Sequence, residues 1–307
     1  MYGPDGQCVE QPAEPEPFCN RIRIKSYPVQ EYLGMIFVYQ GEGEPPTLPR
    51  WGVGDSATLY EVETFVWPYN YWNILDNLQD YAHQPFVHQR GGLSKTFARK
   101  NAWKQFDLTD MPDLRLEETD WGYTGWRTYS SGITRIEHIV MPNIFLHKSR
   151  PGNPRPGDPP SGWRDTVRWA VPIDDERMMD VSLYCADATP EEVQRYREWR
   201  KGELEEAHQI PVYDLVQAVL QGRMSLEDLA EYRMSGGSLQ DAVAQWGQGT
   251  IADRTGDHLG FSDRSPMLYR KLFMRDLQAL AEGRPIQQWR CPTDPHAVWT
   301  QGSTTLG

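Results

Sequence analysis

Cysteine is scarce in this chain: Cys8, Cys19, Cys185 and Cys291 are the four thiols in 307 residues. They are too scattered for a disulfide framework, and a chain of this length buries a full core without one. Basic charge is also short. The 31 Lys and Arg against 43 Asp and Glu leave a formal net charge of −12 and a pI near 5.1, which excludes the basic stripe that nucleic-acid phosphates require. Missing too is any apolar run long enough to span a bilayer, and the first residues carry neither the charged nor the apolar region of a signal peptide. These absences leave a cytoplasmic enzyme in a reducing compartment as the expectation, with neither nucleic acid nor membrane as partner.

What the chain does have is a carboxylate and two imidazoles close together: Asp80, His83 and His88. Neutral imidazole binds Fe, Zn, Cu or Ni, and two histidines with one carboxylate leave other coordination positions open. On a regular helix His83 and His88 would point about 140° apart. Pro85 lies between them, cannot continue the backbone ladder and restricts its predecessor, so a helix over 70–88 is expected to break near Gln84 and swing His88 round to His83. Asp80, three residues before His83, is placed to orient that ring. The residues alone leave a second reading open, in which Asp80 caps or solvates a helix and the histidines are ordinary polar groups on an aromatic-rich face.

Along the chain, residues 1–41 read as short strands and turns, ending in an apolar strand over 33–39. Residues 42–50 read as a linker, 51–285 as one large domain and 286–307 as a tail. Strands are expected over 62–67, 114–118, 122–129, 133–141, 144–148, 165–172 and 179–185, from alternation or β-branched and aromatic content between Gly, Pro and Asp. The Pro- and Gly-rich stretch 150–162 is a long loop. Thr189 and Glu192 form a capping box that opens a helix to about residue 207. Further helices are expected over 212–220, 225–234 and 239–246, and a last one from Pro266 to Gly283. Strands surrounded by helices, rather than alternating with them, predict an α+β fold with an antiparallel sheet.

The longer pattern Asn77-x2-Asp80-x2-His83-x4-His88 resembles the mononuclear-iron motif of the Rieske-type ring-hydroxylating oxygenases, in particular their phthalate-oxygenase-like branch. The segments 2–12, 27–39, 169–176 and 253–264 resemble further parts of those proteins, so the likeness covers most of residues 1–283. It implies a helix-grip catalytic domain, with 1–41 the end of a Rieske domain. It implies His83, His88 and Asp241 as the ligands of a mononuclear Fe(II), with Asn77 and Asp80 beside them and Asp80 bridging two ligand histidines of neighbouring subunits. The chemistry implied is hydroxylation or O- or N-dealkylation of a small aromatic substrate with O2. Electrons would come from NAD(P)H through a reductase or ferredoxin, in a homotrimer. Competing readings are that Asp241, three residues after Ser238, only caps its helix, as Asp228 does after Ser225, or that Asp253, Asp257 or Asp263 supplies the carboxylate.

One departure is plain. A Rieske 2Fe–2S cluster takes two cysteines and two histidines, and none of the four cysteines stands in a Cys-x-His or Cys-x2-His arrangement. The expectation is an N-terminally truncated oxygenase, the cluster ligands lying upstream of the turn at residues 2–6, with a natural cluster-free descendant second. A metal-dependent hydrolase using the same triad with Zn(II), and a non-catalytic helix-grip module that holds a hydrophobic ligand, are the alternatives from other classes. Among the remaining histidines, His138 on a strand reads first as a satisfied core residue, while His147, His208, His258 and His296 show no partner in sequence.

Overall fold

The computed structural model describes residues 1–50, 57–88, 111–130, 134–149, 164–207, 209–232 and 236–291. The chain divides into two compact units, Met1–Pro49 and Arg50–Gly307. The predicted loop over 150–162 and most of the tail lie outside the described residues. Among those described, no helix is long and apolar enough to cross a membrane.

The first unit is built on two isolated bridges, Tyr2 with Cys8 and Gln7 with Arg23, and on one hairpin. Gly6 has φ +81°, and a Cβ there would stand 2.2 Å from the Ile24 carbonyl oxygen, so only glycine fits. Strands β1 (Val29–Tyr32) and β2 (Met35–Val38) pair antiparallel. The strand expected over 33–39 therefore begins only at Met35, as the second arm of a hairpin: Leu33 and Gly34 form its turn with φ of 54° and 75°, the positive pair a tight two-residue hairpin needs.

In the second unit, β3 (Leu59–Trp67), β4 (Asp113–Glu118), β5 (Gly122–Thr128), β6 (Thr134–Val140), β7 (Ile144–Ser149), β8 (Arg164–Pro172) and β9 (Met178–Ala186) form one antiparallel sheet. Its order is β3-β9-β8-β7-β6-β5-β4. Strands β4 to β9 follow one another as hairpin neighbours, and β3 joins at the far side against β9. The inward residues Tyr123, Ile139, Phe145, Ala170 and Met178 make one face of the core.

Helices α1 (Tyr71–Gln79), α2 (Pro190–Ala207), α3 (Val212–Leu220), α4 (Gly236–Gly247) and α5 (Arg264–Ala281) surround or fill that sheet. The Asn70 side chain caps α1 by accepting from Trp72 N at 2.9 Å, and Ile74 and Leu75 reach the core. The Thr189–Glu192 box forms reciprocally, at 2.9 and 3.3 Å. In α3, Val212, Leu215, Val216 and Ala218 share the buried stripe that a 3.6-residue period predicts. Helix α5 begins two residues before Pro266, which the first turn tolerates because its N–H would have no partner there. Its end is closed at Gly283, φ +66°, with Arg284 N on Ala279 O at 2.8 Å.

The helix expected over 225–234 shrinks to a 3-10 turn, Asp228–Glu231. Ser225 and Asp228 do form the box. Tyr232 then leaves helical geometry at φ −85°, ψ 142°, so the cap opens a single turn.

Candidate metal centre

Helix α1 stops five residues earlier than Pro85 suggests. Asp80 closes it in extended geometry, φ −81°, ψ 100°, with its N–H on the carbonyls of Asp76 and Asn77. The chain bends through Tyr81 and Ala82 and re-enters helical geometry at His83, continuing as a π-helical turn, Gln84–His88. A π turn bonds residue i to i+5, so residues five apart come to the same side. This, rather than a break at Gln84, brings the imidazoles together: their ring centroids are 5.2 Å apart at 77°. Pro85 sits inside the turn, near its start, where a missing N–H costs least.

Asp241 approaches from α4. One carboxylate oxygen, Oδ1, lies 3.5 Å from His83 Nε2 and 3.4 Å from His88 Nε2. The three donor atoms lie within 4.8 Å of one another, and among the described residues this is the single such His, Cys, Asp or Glu group. The capping alternative for Asp241 fails, because α4 begins at Gly236 and Asp241 stands in its second turn. The other carboxylates are engaged elsewhere: Asp253 by Thr255 N and Oγ1, Asp257 by Arg270, Asp263 by Gly260 N.

Each ring's second nitrogen faces a further polar group. His88 Nδ1 lies 3.0 Å from Oε1 of Gln240, a fully buried residue. His83 Nδ1 is buried without a hydrogen-bond partner, and Asp80 Oδ2 lies 3.8 Å from it. Asp80 spends its other oxygen on Ala82 N and His83 N, at 2.8 and 3.3 Å. Burial lifts the Asp80 carboxyl above the usual carboxylate range, against the pull of His83 and of those two N–H groups. Its side chain is 34% exposed where each imidazole is 12%, so Asp80 links the covered triad to the surface.

The donor set suits a divalent transition ion. Two ligand atoms each about 2.1 Å from one ion stand roughly 3 Å or slightly more from each other, close to the 3.4 and 3.5 Å seen here. Two nitrogens and one oxygen are the donors of the facial 2-His-1-carboxylate arrangement. Asn77 Nδ2 donates to the same Asp241 Oδ1 at 3.4 Å. Sequence reasoning missed Gln240, although its place beside Asp241 was the signal available. It also missed Asp76, whose Oδ2 holds Arg254 and Arg270 at 2.8 Å each. His138 is 3% exposed with Nδ1 2.9 Å from Thr124 Oγ1, the satisfied core residue expected. His147 packs on Phe145, His258 is exposed, and His208 and His296 lie outside the described residues.

No family model matches the chain. It is 26% identical, over 92% of its length, to the oxygenase subunit of 5,5'-dehydrodivanillate O-demethylase from a Sphingobium species. It is 24% identical, over 91%, to the oxygenase subunit of phthalate 4,5-dioxygenase from Pseudomonas putida. It spans 60% and 65% of those two proteins. In fold it is similar to the QL mutant of NdmA from Pseudomonas putida, solved with theobromine: the TM-score is 0.54 at 12% identity, over 97% of this chain and 72% of that one. Those relatives are oxygenase subunits of Rieske-type, phthalate-dioxygenase-like systems, and the chain is similar to them over most of its length.

Proposed function

We propose that this chain is the catalytic part of a terminal oxygenase component in which His83, His88 and Asp241 hold a mononuclear Fe(II). The observation that carries the proposal is the convergence of His83 Nε2, His88 Nε2 and Asp241 Oδ1. Bound there, ferrous iron would supply the one-electron chemistry that activates O2, with coordination positions left open by a three-ligand face. Gln240 Oε1 accepts from His88 Nδ1–H and so keeps Nε2 as the free lone pair. Asp80 Oδ2, 3.8 Å from His83 Nδ1 and outside hydrogen-bond distance, would orient that ring by its charge. Asn77 restrains the Asp241 carboxylate.

The substrate class proposed is a small aromatic compound. One relative is named for O-demethylation and another for ring dioxygenation, and this chain is assigned hydroxylation or O- or N-dealkylation accordingly. Electrons would come from NAD(P)H through a reductase or ferredoxin, in a cytoplasmic homotrimer. Residues 1–41 are assigned to the end of a Rieske domain, 42–50 to the linker, 51–285 to the catalytic domain and 286–307 to the tail. The four cysteines do not fit a 2Fe–2S cluster: Cys185 lies buried on β9, its thiol pushed up to about 12, and no Cys-x-His or Cys-x2-His pair exists.

The test is metal content and oxygen uptake on the purified chain loaded with Fe(II) under anaerobic conditions. One equivalent of iron is expected, lost in His83→Ala, His88→Ala and Asp241→Ala. Metal content indifferent to the two histidine substitutions would sink the reading. Retention of Zn(II) alone, without oxygen uptake in the presence of a reductant, would move the triad to hydrolytic chemistry.

A further inference from the structure

The segment between α1 and the first imidazole has no helical ladder of its own to fix it, and the sheet supplies what is missing. Three alternate residues of β5, Tyr123, Gly125 and Arg127, meet that segment and the residues flanking it in order. Tyr123 Oη donates to Gln79 Oε1 at the end of α1. At Gly125 an added Cβ would stand 2.9 Å from Tyr81 Oη, so the absence of a side chain there is what admits the tyrosine. Arg127 Nη1 then donates to Gln84 Oε1 at 3.0 Å, and its guanidinium carbon lies 4.2 Å from the centre of the Tyr81 ring. The alternate residues 123, 125 and 127 of the strand thus meet residues 79, 81 and 84 in turn. Arg127 touches Tyr81, two residues before His83, and Gln84, the residue after it.

Arg127 is itself fixed. It is 1% exposed and pairs with Glu137 of β6, also 1% exposed. Arg135 stands directly opposite Arg127 in the β5–β6 register and reaches Glu137 at 3.8 Å. Glu137 therefore separates two cations that would otherwise repel inside the sheet. A planar fork that answers a carboxylate on one side and an amide oxygen on the other is specific to arginine.

We propose that Arg127, braced by Glu137, is a positioning residue that sets His83 for metal binding by clamping Tyr81 and Gln84. The inference rests on the metal reading above. The probe is Co(II), whose visible absorption reports coordination geometry, titrated into the purified metal-free chain. Gln84→Leu removes the acceptor and leaves the Arg127–Glu137 pair whole, whereas Gln84→Glu keeps an acceptor. Arg127→Lys removes the fork.

Gln84→Leu and Arg127→Lys are expected to weaken Co(II) binding by roughly 10- to 100-fold, the range for residues that orient a ligand, and to alter the absorption band. Gln84→Glu is expected to keep the wild-type band. Arg200→Lys, which gives up a fork to Glu61 and Glu63 at the opposite edge of the sheet, is expected to bind Co(II) like the wild type. If Arg127→Lys does not fold, Gln84→Leu decides alone. Wild-type affinity and band in Gln84→Leu, with binding still abolished by His83→Ala, overturns the positioning role and leaves the metal site standing. Binding that survives His83→Ala overturns both.

Discussion

Asn77 Nδ2 donates to Asp241 Oδ1 across 3.4 Å, joining α1 to α4 over 164 residues of sequence. That oxygen is the one both imidazoles face. The amide therefore restrains the rotation of the one carboxylate that the helix-borne histidines share, and it does so from the helix that precedes them.

Asn77→Ala separates a role at the site from a role in the fold. A long, partly exposed hydrogen bond contributes at the low end of about 0.5–1.5 kcal/mol, so the urea midpoint of the metal-free protein is expected to move little. Metal affinity should fall by about tenfold, as for other residues that hold a ligand from behind. Co(II) titration beside a urea melt reads both, and an unchanged affinity would take Asn77 out of the site.

Asp76→Asn should do the reverse. Its Oδ2 is shared by Arg254 Nε and Arg270 Nη2 at 2.8 Å each, and Arg254 also reaches Asn73 Oδ1 at 3.2 Å. Loss of the charge leaves Arg270 with Asp257 and Arg254 with neutral acceptors alone. Removing one partner of a fully buried pair costs about 3–5 kcal/mol. These side chains keep 17–23% exposure, so about 2–3 kcal/mol is expected, read as a lowered urea midpoint of the metal-free chain. An unmoved midpoint would show that the two arginines do not brace α1.

Much of this layout is legible before any coordinates. Strands β4 to β9 fall within one or two residues of where alternation and Gly, Pro and Asp punctuation put them, because each hairpin neighbour is also a sequence neighbour. The antiparallel sheet follows from that. Asp241 is different: nothing in its local spacing separates a ligand from a helix cap, and only the resemblance pointed to it. The helix break was expected at Gln84 because Pro85 is the visible breaker. It falls at Asp80, whose own side chain accepts from Ala82 N and His83 N, and the groups that receive the chain beyond it are on β5, about 45 residues away, where a missing Cβ at Gly125 and a buried Arg127 meet Tyr81 and Gln84. A π turn is likewise invisible to a 3.6-residue period. The helix expected over 225–234 failed for a simpler reason, since a good cap licenses one turn and tertiary packing decides the rest.

Gly125→Ala tests how closely the sheet holds that segment. The new methyl would lie 2.9 Å from Tyr81 Oη and 3.4 Å from Leu116 Cδ2, and Tyr81 is buried with the Arg127 guanidinium over its ring. Overpacking of this kind costs about 1–3 kcal/mol. The Co(II) absorption should shift as well, because the tyrosine is two residues from His83. Tyr81→Phe in the Gly125→Ala background removes the clashing oxygen and should recover part of both losses. A double variant no better than Gly125→Ala alone would locate the strain elsewhere.

Cys185 ties the sheet to a pH dependence that does not involve the metal centre. It is 2% exposed on β9, and burial, with Asp165 nearby, pushes its thiol up from 9.0 to about 12. The folded chain keeps that proton until about pH 12, whereas the unfolded chain releases it near 9. Below pH 9 both states are protonated and the group contributes nothing to the slope. Above it the unfolded state binds fewer protons, so stability falls as pH rises, by up to about 1.4 kcal/mol per pH unit for one proton. Urea midpoints of the metal-free wild type and of Cys185→Ala between pH 8 and 10.5 isolate this group from the buried tyrosines, which titrate in both proteins. The variant is expected to start lower, having lost a packed side chain, and then to decline less steeply from pH 9. Parallel curves would mean that the thiol ionises as readily in the folded sheet as in the open chain.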